Sequence, residues 1–328
     1  MSDQLPTITS QFSAESYFAT QLPPSTLDHD TAGVRAFVAR QRDLGRKVVL
    51  VTSGGTTVPL ELNVVRFLDN FSAGTRGATS AEYFLRAGYA VIFMHRQFSL
   101  QPFSRHYSHS TNPFLDLLDA DSDAITVTPA KRAELFEVLA AYREAHRSGL
   151  LHTLTFVTVN DYLWLLRAVS QELNALGRKS LYYLAAAVSD FFLPRQKMSE
   201  HKIQSGKGSL LIEMDQVPKI LKPMVDEWTP DGFVVSFKLE TDPSLLIPKA
   251  KAALERYGHQ IVIGNDLNRR KYEVVFVSRA IDARAISDTW LRIDAHAINS
   301  RGQLKEIEED IVDELVRRHD RWIAASAT

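Results

Sequence analysis

The segment KVVLVTSGGTT (residues 47–57) decides the fold class of this chain. A run of β-branched residues that ends in two adjacent glycines is typical of a buried strand followed by a tight turn. Helical periodicity then predicts a helix through Ala78–Arg86, which Gly88 ends, and AVIFM (90–94) predicts a second buried strand. Strand, glycine turn, helix and strand in this order predict a βαβ unit with two parallel strands.

The same alternation continues along the rest of the chain. Further helices are predicted at Thr26–Leu44, Ala130–Arg147, Asp161–Leu176, Pro243–Tyr257 and Glu306–Ile323, and further strands at Leu154–Thr158, Leu181–Val188, Phe233–Phe237 and Gln260–Ile263. Two more strands, at Lys271–Val277 and Trp290–Ala295, are predicted as antiparallel additions. The expected fold is therefore α/β, a doubly wound, Rossmann-like and largely parallel sheet with an antiparallel extension.

The domain organisation follows from local composition. Residues 1–24 are polar and end in Pro23-Pro24, so we expect a mobile N-terminal arm; the alternative is a segment whose structure depends on a partner. Residues 25–328 are expected to form a single α/β domain, with an irregular insertion at about 97–128 that is rich in Ser, His and Asp. His106 and His109 in this insertion have HxxH spacing but no third ligand nearby, so no metal site is predicted there.

Composition excludes several classes of protein. The 328 residues carry 38 Lys and Arg against 39 Asp and Glu, a formal charge of 38 − 39 = −1, and contain no cysteine. A disulfide scaffold, a Cys-ligated metal site and a cysteine nucleophile are thereby excluded, and the balanced charge argues against a protein that coats nucleic acid or an anionic membrane. The N-terminus has no signal-peptide pattern, and apolar runs such as Tyr182–Val188 are too short for a membrane helix. We expect a cytoplasmic protein.

Two polar loops could bind an anion: one follows the first predicted strand, and the other leads into the first helix after it. Gly54 and Gly55 follow the first strand, where adjacent glycines let backbone N–H groups approach a phosphate; the alternative is a tight turn that needs positive φ. Ser72, Gly74 and Arg76 lead into a helix, whose N-terminus favours negative charge; the alternative is ordinary N-capping by Ser72 or Thr75.

Two further segments could complete a ligand site. Ala186 and Ala187 end a predicted strand, and small residues there allow a flat ring to lie against the backbone. Asp190 follows, and it could hold a ribose hydroxyl or a metal, or simply cap a turn. The loop at 200–208, with two lysines and two glycines, could close over a triphosphate or form a solvated hairpin.

Together these loops resemble phosphopantothenoylcysteine synthetase, the amide-forming enzyme of coenzyme A synthesis, in its monofunctional eukaryotic form. The resemblance rests on VTSGGTTVPLE (51–61), VRFLDNFSAGTRGATSAEYFLRAGY (65–89), YLAAAVSDFFLP (183–194), EHKIQS (200–205) and SFKLETDP (236–243), and it extends from about residue 20 to residue 323. It implies a ligase that joins 4′-phosphopantothenate to L-cysteine through an acyl adenylate and releases AMP and pyrophosphate.

The resemblance also implies roles for individual residues. Asn70 would hold the acyl intermediate and Lys202 would neutralise phosphate charge; these two are the expected catalytic residues. The expected nucleotide contacts are Gly54, Gly55, Ser72, Gly74, Arg76, Ala186, Ala187, Asp190, Phe237, Lys238 and Asn265, with Asp190 also near the metal. ATP and Mg²⁺ are implied as substrate and cofactor. A homodimer is implied as well, for which the antiparallel segment 271–298 is the expected pairing surface, together with association with other enzymes of the pathway.

The resemblance further suggests a preference for ATP over CTP. In the CTP-using bacterial relatives, small residues stand where this chain has Lys238 and Leu239. A longer side chain beside Phe237 is therefore expected to reshape the wall of the base pocket.

Two alternative functions remain open on the sequence. The first is an NAD(P)-dependent oxidoreductase of Rossmann-like fold, against which stand the missing GxGxxG motif and the lack of a suitably placed Tyr-x-x-x-Lys pair. The second is a regulatory homologue without catalysis. The presence of both Asn70 and Lys202 argues against that loss.

Overall fold

An eight-stranded sheet forms the centre of the computed structural model, which describes residues 12–107, 113–121, 123–204, 208–279, 285–300 and 302–325. In spatial order its strands are β14 (Ile286–Arg292), β13 (Glu273–Arg279), β12 (Ile261–Asp266), β11 (Phe233–Glu240), β8 (Ser180–Leu184), β1 (Val48–Ser53), β4 (Ala90–Arg96) and β7 (Leu151–Phe156). The strands from β12 to β7 are parallel, and β13 and β14 are antiparallel additions. The predicted fold class is confirmed.

Helices cover both faces of this sheet. One face carries α2 (Leu27–Asp43), α5 (Val159–Leu173) and α7 (Pro243–Tyr257), and the other carries α3 (Thr75–Arg86) and α8 (Ile307–Ala324). The remaining α-helices of the described ranges are α1 (Ala14–Thr20), α4 (Arg132–Arg147) and α6 (Leu221–Pro223), which runs into a π-helical turn at Met224–Trp228. None of the helices in the described ranges is both long and apolar enough to span a membrane.

Three small two-stranded sheets accompany the central one. They pair β2 (Thr57–Pro59) with β3 (Phe67–Asp69), β5 (Leu118–Asp121) with β6 (Ala124–Val127), and β9 (Phe191–Phe192) with β10 (Asp215–Gln216). The first two are antiparallel hairpins, and β3 is exposed at every position. The β2–β3 hairpin and the residues that flank the β9–β10 pair belong to the site described below.

The core has two layers because alternate residues of each central strand point to opposite faces. In β1, Val48 and Leu50 contact the side of α2 and α5, whereas Val49 and Val51 contact the side of α3 and α8. All six residues of β1 are buried, which explains why the strand begins with the continuous apolar run Val48–Val51 and does not alternate with exposed polar residues. Each large apolar side chain buried in this way contributes about 1.5–3 kcal/mol.

Residues 12–24 differ from the expected mobile arm. They include α1, whose Tyr17 is fully buried and whose hydroxyl donates to Asn160 Oδ1 at 3.0 Å. The Asn160 amide in turn donates to the Leu22 carbonyl at 2.8 Å. An aromatic run in this segment lets it bury surface against the N-terminus of α5, so the prediction is wrong for residues 12–24. Residues 1–11 lie outside the described part of the chain.

The insertion is tied to the body of the protein at its first half. Arg105 forms ion pairs with Glu82 of α3 at 2.7 Å and with Glu306 at 2.6 Å. His106 also contacts Glu82, at 3.2 Å, so it is part of this ion-pair cluster. His109 and the rest of residues 108–112, together with residue 122, lie outside the described residues.

Candidate active site

The loops after β1 and β8 meet at the centre of the sheet's carboxyl edge. The chain runs from β1 through α3 on one face, whereas the connections after β8 lie on the other face, so a crevice opens between these two strands. The Ala187 N–H donates to the Gly54 carbonyl at 2.8 Å, and the Thr56 N–H donates to the Ala187 carbonyl at 3.0 Å. These bonds explain why β8 ends at Leu184 and not at the predicted Val188: beyond that point the chain pairs with a loop.

The two positions in this loop require glycine for different structural reasons. Gly54 has φ +83°, a conformation that side chains rarely adopt. A Cβ on Gly55 would lie 1.6 Å from the carbonyl oxygen of Asn70. The Asn70 N–H donates to the Thr56 carbonyl at 3.1 Å, so Asn70 lies directly against the glycine turn. The positive-φ turn therefore accounts for Gly54 only, whereas Gly55 is required by the close approach of the Asn70 backbone. Phosphate binding by the two glycines stays a prediction.

The N-terminus of α3 lies beside the same loop. Its N-cap residue is Gly74, with φ +83°, and its carbonyl accepts a hydrogen bond from Ser53 Oγ at 3.0 Å. In the described structure no side chain caps this helix, and its first turn holds no acidic residue. Ser72 Oγ accepts a long bond, 3.4 Å, from the Gly74 N–H and is not the N-cap. The capping alternative is therefore wrong, and the N–H groups and positive dipole end of α3 are available to an anion.

Arg76 turns away from this N-terminus towards α8. Its guanidinium lies 3.0 Å from Glu308, donates to the Arg270 carbonyl at 2.6 Å and stands 6.0 Å from the centre of the Phe237 ring. Burial raises the pKa of the Glu308 carboxyl, and the Arg76 charge opposes that rise. The structure thus brings Arg76 close to Phe237, but the charge of Arg76 is already matched by the Glu308 carboxylate, whose side chain is 13% exposed.

Asn265 belongs to the same group of contacts. It is buried near the end of β12, and its Oδ1 accepts a 3.4 Å bond from Arg76. Phe237 is half-buried, and its ring packs edge-on to Tyr183 at 4.9 Å. These residues form one wall at the carboxyl ends of β8, β11 and β12.

Lys238 does not share the face of Phe237. Successive residues of a strand point to opposite sides, and the Lys238 ammonium lies 3.4 Å from the carboxylate of Glu240. Leu239, which is 51% exposed, lies on the Phe237 side of the strand. The interpretation that Lys238 widens or narrows the pocket beside Phe237 is therefore corrected: Leu239 is the long side chain in that position.

Ala186 and Ala187 have little free hydrogen-bonding capacity on their N–H side. The Ala186 N–H donates to Thr52 Oγ1 at 3.1 Å, and the Ala187 N–H is bonded to Gly54 as described above. Recognition of a base at this position would therefore fall to carbonyl oxygens, which accept equally from the amino group of adenine or of cytosine.

Asp190 is exposed just beyond this loop, and its backbone carbonyl accepts from the Val217 N–H at 2.9 Å. Within the described ranges there is no group of three acidic or histidine side chains that could hold a metal by themselves. Mg²⁺ bound together with a nucleotide needs only one or two carboxylates, because phosphate oxygens and water complete its shell. A single exposed Asp190 fits that kind of site and no resident, all-protein metal site.

Lys202 is exposed on a loop that is fastened to residues 61–66. The Leu62 and Asn63 N–H groups donate to the carbonyls of Ser199 and Glu200, at 2.9 and 3.0 Å. Glu61 is fully buried, and its carboxylate accepts the Ile203 N–H at 3.3 Å. Residues 205–207 of the loop lie outside the described residues.

Sequence reasoning missed two carboxylates at this site, the fully buried Glu61 and the partly buried Glu308. Glu61 belongs to a motif on which the family resemblance rests, but the resemblance assigned no role to it. Glu308 lies far along the chain, in the first turn of α8. Hydrogen bonds from the backbone of Arg66 lower the pKa of Glu61. Only the structure shows that these carboxylates face Arg66 and Arg76.

Comparisons with known proteins agree with the motifs. Residues 44–124 and 150–292 match the family described as DNA/pantothenate metabolism flavoprotein C-terminal domain. The chain is 44% identical to the phosphopantothenate–cysteine ligase CAB2 of Saccharomyces cerevisiae, with 96% of this chain and 88% of that protein covered. It is 46% identical to the human phosphopantothenate–cysteine ligase, with 88% and 91% covered. A structure of a Cab2 variant in complex with phosphopantothenate-cysteine superposes with a TM-score of 0.86 at 45% identity, covering 96% of this chain and all of that one.

Proposed function

The chain belongs to the phosphopantothenate–cysteine ligase family, and from this premise we propose that it uses ATP to join 4′-phosphopantothenate to L-cysteine. The carboxylate of phosphopantothenate attacks the α-phosphorus of ATP and releases pyrophosphate. The amine of cysteine then attacks the acyl carbon of the acyl adenylate, loses a proton and expels AMP. Activation is needed because a carboxylate at neutral pH does not react with amines.

The crevice between β1 and β8 supports this reaction by its position and its charge. Asn70 lies against the glycine turn, where an amide can donate to the acyl oxygen without adding a charge that would trap the intermediate. The uncapped N-terminus of α3 lies beside it and favours phosphate oxygens. Gly54, Gly55, Ser72 and Gly74 are proposed to line this phosphate region.

Lys202 is proposed to supply a positive charge that faces the phosphates of the nucleotide. It is exposed on a loop next to residues 61–66, from which a lysine can approach the β- and γ-phosphates as pyrophosphate leaves. Asp190 is proposed to hold Mg²⁺ together with the phosphates. When bound, that ion would neutralise phosphate charge, and Asp190 would orient it.

The base is proposed to lie between the backbone of Ala186 and Ala187 and the wall formed by Phe237, Leu239 and Asn265. Arg76 contributes to this wall by fixing Asn265 and by facing Phe237. We do not propose a direct phosphate contact for Arg76, because its guanidinium is paired with Glu308.

The alternative functions have less support. The similar proteins of known function are ligases, which does not favour an oxidoreductase. A regulatory homologue without catalysis would have no need of both Asn70 and Lys202. We further propose a cytoplasmic homodimer that associates with other enzymes of coenzyme A synthesis.

The observation that carries the proposal is the high identity to known ligases over most of the chain, together with the position of Asn70 at the crevice between β1 and β8.

The test is product formation from phosphopantothenate and cysteine with ATP and CTP side by side. We expect ATP to be preferred by about tenfold or more, since a slot shaped for a purine loses about 1–3 kcal/mol of contact with a pyrimidine. Leu239→Ala should narrow this preference, whereas Lys238→Ala, on the opposite face, should leave it unchanged. Equal or better kcat/KM with CTP would contradict the nucleotide assignment.

A further inference from the structure

Glu61 is a buried carboxylate to which the proposed chemistry gives no task. Its side chain is fully buried, and it accepts the N–H groups of Arg66 at 2.9 Å and Val65 at 3.3 Å. The Arg66 guanidinium donates to its other oxygen at 3.0 Å. A carboxylate is expensive to remove from water, so a site that satisfies it this fully holds its surroundings in one arrangement.

The same carboxylate reaches the loop that carries Lys202. The Ile203 N–H donates to Glu61, and the Ile203 carbonyl accepts from the Arg66 guanidinium at 3.1 Å. On the other side of Lys202, the Glu200 carbonyl accepts from the Asn63 N–H at 3.0 Å. Lys202 is therefore held at both flanks by the segment 61–66.

That segment also leads directly to Asn70. The Arg66 carbonyl accepts from the Leu60 N–H at 3.0 Å, which closes the 60–66 loop. Strand β3 begins at the next residue, pairs with β2 through Phe67 and Pro59, and ends just before Asn70. Glu61 thus stands at the junction between the hairpin of Asn70 and the loop of Lys202.

We propose that Glu61 is a positioning residue that holds the Lys202 loop in register with Asn70, so that both can act on one acyl adenylate. This inference rests on the proposed function of those two residues. Its physical basis is that reacting groups lose much of their rate advantage when they are misplaced by about 1 Å.

The test compares Glu61→Gln with Glu82→Gln. Glu82 is an equally buried carboxylate that pairs with Arg105 and accepts the N–H of Phe103, but it anchors the insertion and not the Lys202 loop. For Glu61→Gln we expect kcat to fall between about tenfold and a hundredfold. The KM for ATP should change much less, and trypsin should cleave faster after Lys202. Glu82→Gln should lower the melting temperature without producing that pair of effects.

The proposal is overturned if Glu61→Gln lowers kcat no more than Glu82→Gln does, or if the two variants are cleaved after Lys202 at the same rate. Circular dichroism checks that both variants fold. A wild-type protein that makes no product would refute the proposed function instead. The rates of tryptic cleavage would still decide, in that case, whether Glu61 holds the loop.

Discussion

Asn70 is held by its backbone, which leaves the side-chain amide as the part that can act on a ligand. Its N–H is bonded to Thr56, and its carbonyl fills the space that Gly55 leaves open. We therefore expect Asn70→Ala to lower kcat by about 10²–10³, the usual cost of one oxyanion donor, with little change in nucleotide affinity. Steady-state kinetics and nucleotide binding measured on one preparation separate the two quantities. A variant with near-normal turnover would make Asn70 a structural residue only.

Lys202 should matter for the first half-reaction and little for the second. Its charge would help as pyrophosphate departs, and the attack of cysteine on the acyl adenylate involves no such leaving group. Lys202→Gln should abolish pyrophosphate release in the absence of cysteine, yet still convert chemically supplied acyl adenylate. Lys197→Gln is the matched control, because Lys197 is a nearby lysine that pairs with Asp215 at 2.8 Å. Equal loss in both half-reactions would contradict the assigned role.

At the residue scale, the sequence predicts site residues that can be recognised by their residue type and position in a loop. It does not predict residues whose role depends on a contact formed in the folded protein. The glycines and Asp190 stand in polar loops that follow apolar runs, so their common location at the carboxyl edge was predictable. Asn70, in a loop that leads into a helix, was identified through the family resemblance. Glu61 and Glu308 are defined by their contacts with Arg66 and Arg76. Arg76 is far from Glu308 in sequence, and the five-residue spacing of Glu61 and Arg66 is not a pattern that predicts a pair in a loop. The same limit explains why Arg76 was assigned to phosphate.

The bounds of helices and strands were predicted well where local residues fix both ends of the element. The predicted helix Pro243–Tyr257 is observed with the same bounds, because Asp242 caps its start and Gly258, with φ +73°, ends it. The strand predicted to reach Val188 ends at Leu184, because hydrogen bonds from another loop compete for its backbone. The N-terminal segment was missed for a related reason: its helix is short, and contacts with α5 and Phe192 stabilise it more than its own periodicity does.

Helix α8 contains a group that should make stability depend on pH. His319 is fully buried, its Nε2 donates to the Arg178 carbonyl at 2.8 Å, and its Nδ1 accepts from the Tyr89 hydroxyl at 2.8 Å. Burial lowers the pKa of His319 from 6.5 to about 4; Lys47 adds to that effect and Asp320 opposes it. The unfolded chain thus binds a proton more readily than the folded one. The contribution of His319 to the free energy of unfolding is therefore fully present above about pH 6.5. It is lost as the pH falls towards 4, and the loss is at most about 3 kcal/mol.

His319→Gln tests this dependence, since an amide can keep both hydrogen bonds without titrating. We expect the variant to lose less of its free energy of unfolding than wild type between pH 6.5 and 4.5, as measured by urea denaturation. Part of the slope will remain, because burial also lowers the pKa of His259 to about 4. Identical slopes for the two proteins would show that His319 does not contribute.

At the scale of the whole molecule, the order of the strands is what joins distant motifs into one site. The loops after β1 and β8 are more than 130 residues apart in sequence, as Gly54 and Ala187 show, yet they exchange backbone hydrogen bonds because their strands are neighbours. The alternation of strands and helices predicted a sheet of this class. It did not predict which surface of the molecule faces a partner, because exposure depends on how the small hairpins pack.

The distribution of exposed apolar side chains favours one surface for the proposed dimer. Val64, Val65, Phe67, Leu68 and Phe71 are exposed by 55, 56, 50, 43 and 90%, all within eight residues; we refer to them as the 64–71 patch. The outer strand β14, part of the segment that the sequence favoured for pairing, instead exposes Ser287, Asp288 and Thr289. Dense exposure of large apolar groups is unusual on a monomer and typical of an interface.

We therefore expect Leu68→Glu to convert a dimer into a monomer in light scattering coupled to gel filtration, while Thr289→Glu should leave the dimer intact. Two carboxylates brought together across a two-fold axis would repel each other in a setting that excludes water, which opposes association strongly. Because the 64–71 patch surrounds Asn70, loss of the dimer should also lower activity. Dissociation by Thr289→Glu alone would place the interface on the antiparallel extension, and a monomeric wild-type protein would refute the dimer itself.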